Sequence, residues 1–330
     1  MLLTSLRILL LASVCSFCCV PPAYSQSGPM VKIEPHTRTR AALDPMEFPH
    51  VDLRVDVPLV LIPVHVTNPL GASVTNLNKD NFHLFEDNVE QTITQFACED
   101  APLSIGLLFD ASGSMRNKMK QSSEAAAAFF RTANPEDEFF LVEFNERPRL
   151  AMPFTRDSDE IYKRIVHTRP MGRTSLLDAI HMGLLQMKSA KNLRKAIVIF
   201  SDGGDNRSRY TESEIKIAMR EGDVQVYAMG IFEPEDTRKR TPEEENGPQL
   251  LTELADETGG RHYPVRHLED LPSVCARIGN ELRNQYLIGY APTSAAQDGK
   301  FRQVKVTVSA PENMPPLRAH HRQGYYASTQ

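Results

Sequence analysis

The apolar and polar positions of this chain fall into two textures. From Val51 the run "VPLVLIPVHVTN" is β-branched with partial alternation, "PLGAS" is a turn, and "FHLFED" and "QTITQFA" are short runs broken by Asn and Asp. This texture predicts a small all-β segment over 51–100. So few strands leave one face and two edges open, so the segment cannot close a core alone. After Asn284 the same texture returns in "QYLIGYAP", "FRQVKVTVSA" and "LRAHHRQGYYA". The simplest inference is that 285–330 pairs with 51–100 in one small β-sandwich.

Between them, over 101–284, near-continuous apolar strands alternate with amphipathic helical patterns. "LSIGLLFD" is followed by a helix around "KQSSEAAAAFFRTA", "DEFFLVEF" by the short run "RLAMPF", and then come helices around "DEIYKRIV" and "SLLDAIHMGLLQMKSA". "KAIVIFSDGG" precedes a helix at "TESEIKIAMREG", "VQVYAMGIF" one at "PQLLTELADETGG", and "RHYPV" one at "LEDLPSVCARIGNELRNQ". This alternation predicts a doubly wound, mostly parallel α/β domain with helices on both faces of its sheet, inserted into the sandwich. The intervening "EPEDTRKRTPEEENG" reads most simply as a solvated loop of mixed charge; it follows a strand on the same rim, which leaves partner selection as the alternative.

The N-terminus adds a targeting expectation. "MLLTSLRILLLASVCSFCCVPPAYSQ" has one arginine, an apolar run from Ile8 to Val20 ended by two prolines, and small residues before Gln26. It reads as a cleavable secretory leader over 1–25, cut after Ser25, followed by an extended lead-in over 26–50. The protein is expected outside the cytoplasm, secreted or periplasmic, without stable membrane insertion. Cleavage takes Arg7 and no acid from 37 basic and 42 acidic residues, so a formal charge of −5 becomes −6. That balance, mixed along the chain, lacks the basic stripe of a nucleic-acid binder. The leader also contains Cys15, Cys18 and Cys19, which leaves Cys98 and Cys275; an oxidising compartment permits a bridge, but two cysteines make no framework.

The candidate chemistry sits where the apolar strand "LSIGLLFD" meets "ASGSM". In an open parallel sheet, ligands bind outside the carboxyl ends of the strands. Asp110, Ser112 and Ser114 present one carboxylate and two hydroxyls there. Two later strand-to-helix junctions carry matching groups: Thr174 in "GRTSLLDAI" and Asp202 in "VIFSDGGDN". Hard oxygen atoms of this kind suit Mg²⁺ first, and Mn²⁺ or Ca²⁺ as well. Asp and Ser are also ordinary helix caps and turn residues, but three such groups on one rim make a metal set of Asp110, Ser112, Ser114, Thr174 and Asp202. "GGDNRS", with Asp205 and Asn206, reads as a solvated turn beside it. The histidines are scattered and form no zinc pattern.

"DASGS", "GRTSLLDAI" and "SDGG", in that order, resemble the metal-ion-dependent adhesion site of von Willebrand factor type A domains, over roughly Leu103 to Arg283. The resemblance implies that the two serines and the threonine coordinate a divalent cation directly or through water. It further implies that Asp110 and Asp202 act partly through bound waters, and that an open position takes a carboxylate from a protein partner. The flanking β segments are similar to a secreted bacterial group, the von Willebrand factor A-related acidobacterial-type proteins. The expected function is therefore a protein-binding module and not an enzyme. Haloacid-dehalogenase-type phosphoryl transfer needs a second carboxylate two residues after the first, where Ser112 stands. No Walker loop or "GxSxG" elbow is present. A metal-independent scaffold in an envelope assembly is the alternative.

Overall fold

Strand β1 (Val60–Thr67) buries Ile62, Val64 and Val66 on one face, as its alternation predicts. The structure, a computed structural model, describes residues 59–98, 100–232, 241–293, 298–312 and 314–327. The leader and lead-in expected over 1–50 lie outside the described residues. Those described belong to one unit, Val55–Gln330. β2 (Phe82–Glu86) and β3 (Val89–Gln91) form a hairpin whose two loop residues, Asp87 and Asn88, both take positive φ. That is the conformation a tight hairpin demands and Asp and Asn tolerate. β4 (Ile93–Ala97) ends the first β segment.

The chain then enters the α/β unit. β5 (Leu103–Asp110) leads to α1 (Met119–Phe130), β6 (Glu138–Phe144), the edge strand β7 (Pro148–Thr155), α2 (Ser158–Val166) and α3 (Leu176–Met187). β8 (Arg194–Ser201), α4 (Glu212–Glu221), β9 (Gln225–Ile231), α5 (Pro242–Glu257), β10 (His262–Val265) and α6 (Leu271–Arg283) complete it. The sheet order is β10-β9-β8-β5-β6-β7, with only β7 antiparallel. The period of two along each strand divides the core. Leu107, Phe109, Leu141, Val198 and Phe200 pack under α1, α2 and α6, while Leu108, Phe140, Val142, Ile197 and Ile199 pack under α3, α4 and α5. Every residue of β5 is buried, and Gly106 lies beside Phe140 in register. A Cβ at Gly106 would stand 2.2 Å from the Phe140 ring, so this glycine makes room for the aromatic.

The last strands are β11 (Tyr286–Tyr290), β12 (Phe301–Val308), β13 (Arg318–His320) and β14 (Gly324–Tyr326). They form two antiparallel sheets with the first four, in the orders β13-β1-β11-β4 and β14-β12-β2-β3. Each sheet mixes strands from both sides of the α/β unit, and the two share one core that includes Ile62, Leu84, Tyr286, Ile288 and Val306. β4 and β11, the strands that lead into and out of the α/β unit, are hydrogen-bonded neighbours.

Two sequence expectations change. "LRAHHRQGYYA" is two strands in different sheets, because the chain crosses between them at His321–Gln323; His321 Nε2 accepts from Val306 N, and Arg322 Nη2 donates to Leu61 O. Of "EPEDTRKRTPEEENG", 233–240 lies outside the described residues, whereas 241–247 is the cap and first turns of α5 rather than loop. Thr241 and Glu244 form a reciprocal capping box, with Pro242 in the first turn, and this outweighs the charge density that reads as loop. Cys98 is exposed and Cys275 buried, and both are free thiols.

Candidate metal centre

The carboxyl edge of the sheet is assembled from three loops, and the backbone ties them together. After β5, Ala111 N donates to Phe144 O at the end of β6 (2.7 Å), and Gly113 N donates to Gly172 O (3.0 Å). Met171 N donates back to Ala111 O (2.8 Å). The second loop is bound to the third by Asn206: its side-chain Oδ1 accepts from Thr174 N, and its N donates to Thr174 O, both at 3.1 Å. "GGDNRS" is thus a turn, as its sequence suggests, but its asparagine fixes Thr174.

All five expected residues lie on these three loops. Asp110 is fully buried; its Oδ1 accepts from Ser112 N (2.8 Å) and its Oδ2 from Ser201 Oγ (2.6 Å). The Ser112 and Ser114 hydroxyls are 3.1 Å apart, and Ser114 is exposed on the rim. Thr174 and Asp202 are buried, each with 5% exposure. The capping alternative is not what forms. Only a 3-10 turn, Gly113–Met115, follows Ser112, α1 begins at Met119, and neither Ser112 nor Ser175 makes a side-chain cap bond. The third loop reaches its place because Gly203, at φ +80°, packs on the backbone of Gly247 in α5, where a Cβ would stand 2.6 Å from Gly247 O.

Electrostatically, the site holds more negative charge than its surroundings satisfy. Burial, and then the charge of Asp202, push the Asp110 carboxyl up to about 7 against the hydrogen bonds from Ser112 and Ser201. Asp202 Oδ2 accepts from Lys118 Nζ at 3.0 Å, with both side chains buried. Asp202 Oδ1 is buried and has no hydrogen-bond partner among the described residues. The set contains two carboxylates and three hydroxyls. Among the described residues no group of three or more His, Cys, Asp or Glu is placed to hold a metal, so any ion here relies on the hydroxyls.

Sequence reading missed three contributors. Ser201 looks like the last residue of an apolar strand, yet it holds Asp110. Lys118 looks like a surface lysine before α1, yet it reaches Asp202. Asp178 reads as part of the α3 pattern, yet it is buried and accepts from the backbone N–H of Arg209 and Tyr210, securing the far side of the third loop. Alternation of strand and helix gave a signal for none of these, since each depends on a contact between separate loops.

The chain resembles known proteins over part of its length. Residues 105–204 match the model of the von Willebrand factor type A domain. An uncharacterized protein of Borreliella burgdorferi is 25% identical over 167 residues, and the chain spans 46% of its own length and about half, 48%, of that relative. The collagen alpha-1(VI) chain of Gallus gallus is 23% identical over 185 residues, covering 47% of this chain and 18% of that one. Among solved structures, a von Willebrand factor type A protein from Catenulispora acidiphila aligns with TM-score 0.48 and 13% identity over 70% of this chain and 74% of that one. Proximal thread matrix protein 1 of the mussel byssus, with a zinc-occupied MIDAS motif, aligns with TM-score 0.46 and 16% identity over 60% and 50%. Within the α/β unit, residues 105–204 are thus similar to the von Willebrand factor type A domain.

Proposed function

We propose that the rim formed by Asp110, Ser112, Ser114, Thr174 and Asp202 holds a divalent cation, Mg²⁺ before Mn²⁺ or Ca²⁺, and captures a carboxylate of a protein partner. The observation that carries the reading is Asp202 Oδ1, a buried carboxylate oxygen without a partner among the described residues, next to a second buried carboxylate and within a hydroxyl-lined rim. A buried unpaired acceptor is costly unless something supplies the missing charge. The donor set, all oxygen, with three hydroxyls among its five residues, suits a hard divalent cation. When bound, such an ion supplies a Lewis-acidic position for an incoming carboxylate. The role is binding rather than catalysis, because Ser112 occupies the position a phosphoryl-transfer acid would need. The leader read in the sequence assigns the protein to a compartment outside the cytoplasm. No helix among the described residues is long and apolar enough to cross a membrane.

Lys118 gives the scaffold alternative a physical basis, since its ammonium partly neutralises Asp202 without any added ion. Thermal unfolding with Mg²⁺ or Mn²⁺ separates the two. Wild type gains stability and Asp110→Ala does not; no gain in wild type, or an equal gain in the variant, rejects the metal site. Partner capture is tested by pull-down from source-cell envelope, where chelator is expected to remove specific proteins, and identical captures with and without chelator would sink it.

A further inference from the structure

The rim is electrically lopsided around the candidate metal centre. On the β6 side lies a groove of about 630 Å³ that begins at Ala111 and Met171, the residues that link the first two metal loops. Its walls carry Arg147, Arg149, Arg164 and Arg169 against one acid, Glu143. Glu143 is buried and accepts from Arg149 Nη2 (2.6 Å), Arg164 Nη2 (2.7 Å) and Thr168 Oγ1 (2.7 Å), so it organises the groove's interior. Those hydrogen bonds hold its carboxyl below the ordinary range despite burial. Arg147 and Arg169 are exposed, and neither forms an ion pair among the described residues. Beyond β8, a second groove of about 380 Å³ is lined by Asp205, Glu212, Glu243 and Glu253 and by no basic side chain. Lys216 pairs with Glu253 and Glu212 there, and the first turn of α5 adds Glu244 and Glu245.

A chain of net charge −5 has thus gathered unpaired guanidinium groups on one side of the metal loops and carboxylates on the other. We infer that the arginine groove is a second contact for the captured partner: it receives an extended, acidic polypeptide tract whose leading carboxylate meets the metal centre. This rests on the capture reading above and adds direction and composition to it. The tract runs across Ala111 and Met171 toward α2, because the opposite course would bring it against Asp205 and Glu243. Guanidinium groups grip carboxylates in a planar, two-pronged geometry, which favours clustered Asp or Glu over a single residue. A nucleic acid fits less well: among the groove's lining residues Phe144 is buried and His167 is the one exposed ring, so there is no run of aromatic faces on which successive bases could stack.

The test uses the full chain and fluorescein-labelled peptides read by anisotropy in Mg²⁺: an oligo-aspartate, and a Gly-Ser peptide with one Asp. Wild type is expected to bind the oligo-aspartate more tightly. In R147E/R169E that binding should fall about tenfold at low salt, with the gap closing at high salt, and R147Q/R169Q should lie between. Both variants should keep the Mg²⁺-dependent thermal gain of wild type, which shows the fold and the metal loops intact. Equal binding of the two peptides, no binding of either, or an unchanged affinity in R147E/R169E overturns the groove. So does tighter binding of a single-stranded DNA oligonucleotide. Loss of peptide binding in EDTA and in Thr174→Val, with R147E/R169E unaffected, keeps metal capture and removes the groove. Binding that survives EDTA but is lost in R147E/R169E does the reverse.

Discussion

The two edges of the α/β sheet both bury carboxylates, and they treat them differently. At the amino edge, Glu281 of α6 is almost fully buried; its Oε1 accepts from Tyr263 and from Arg261 (2.8 Å), and its Oε2 lies 3.4 Å from His65 of β1. Arg277, one helical turn earlier, stands 3.5 Å from Oε1. Tyr263 and two arginines answer Oε1, while Oε2, like Asp202 Oδ1, has no hydrogen-bond partner among the described residues; these groups join α6 to the sandwich. At the carboxyl edge, Asp110 and Asp202 face one another with hydroxyls and one lysine, and an oxygen is left over. Burying charge is expensive at both edges. The amino edge sets two arginines and a tyrosine against one carboxylate, whereas the carboxyl edge sets a second carboxylate, hydroxyls and a single lysine against its own, which distinguishes a joint from a candidate site.

The largest expected break is at the joint. Glu281→Ala leaves Arg261 and Arg277 around an uncompensated pocket and should cost about 3–5 kcal/mol in urea or thermal unfolding, while the Mg²⁺-dependent gain persists. A cost under about 1 kcal/mol would show the amino edge to be no more than a surface pair.

The opposite sign is expected at the rim. Lys118→Met leaves Asp202 without its ammonium and should cost the metal-free protein about 1–3 kcal/mol, yet enlarge the Mg²⁺-induced gain, since the tethered cation no longer competes. Calorimetric titration reads the affinity directly, and weaker Mg²⁺ binding in the variant would reject that competition.

The smallest effect concerns pH. Asp110, held at about 7 against an ordinary 3.8, keeps its proton when folded over a window in which the unfolded chain has lost it. Metal-free stability from this group therefore falls as pH rises from about 4 toward 7. Asp110→Asn should flatten that slope and stabilise the metal-free protein at pH 8 by about 1–2 kcal/mol, while abolishing the Mg²⁺ response. The joint supplies the contrary limb. Burial, with His320 and the nearby arginines, lowers His65 to about 3, and burial lowers His320 to about 4, so their contribution is present above about 6.5 and lost on acidification. Unfolding curves across pH for wild type and Asp110→Asn check both limbs.

What the sequence revealed follows from where its information is local. β5 with its terminal Asp110 is legible because an uninterrupted apolar run ending in one carboxylate has few other homes. The incompleteness of each β segment likewise points to the other, and each sheet does contain strands from both. The split of the last run into β13 and β14 is not legible, because alternation says which face is buried but not which sheet is joined. The start of α5 was hidden by its charges although "TPEE" carries a capping signal. Ser201 and Lys118 escape for a deeper reason: their partners are about 90 positions away, and no spacing rule reaches that far.

The pairing of β4 with β11 sets how the molecule bears tension. A pull on the rim of the α/β unit reaches the sandwich through Ala97 and Leu287, which lie side by side. Both strands are drawn in the same direction, so the bonds between them are not sheared against each other. The load passes sideways to β1, across the register from Val60 with Tyr290 to Val64 with Tyr286. The α/β unit is tied to the sandwich by this doubled strand and by side-chain links such as Glu281 with His65 and Asp223 with Arg322, so a load on it is shared among them.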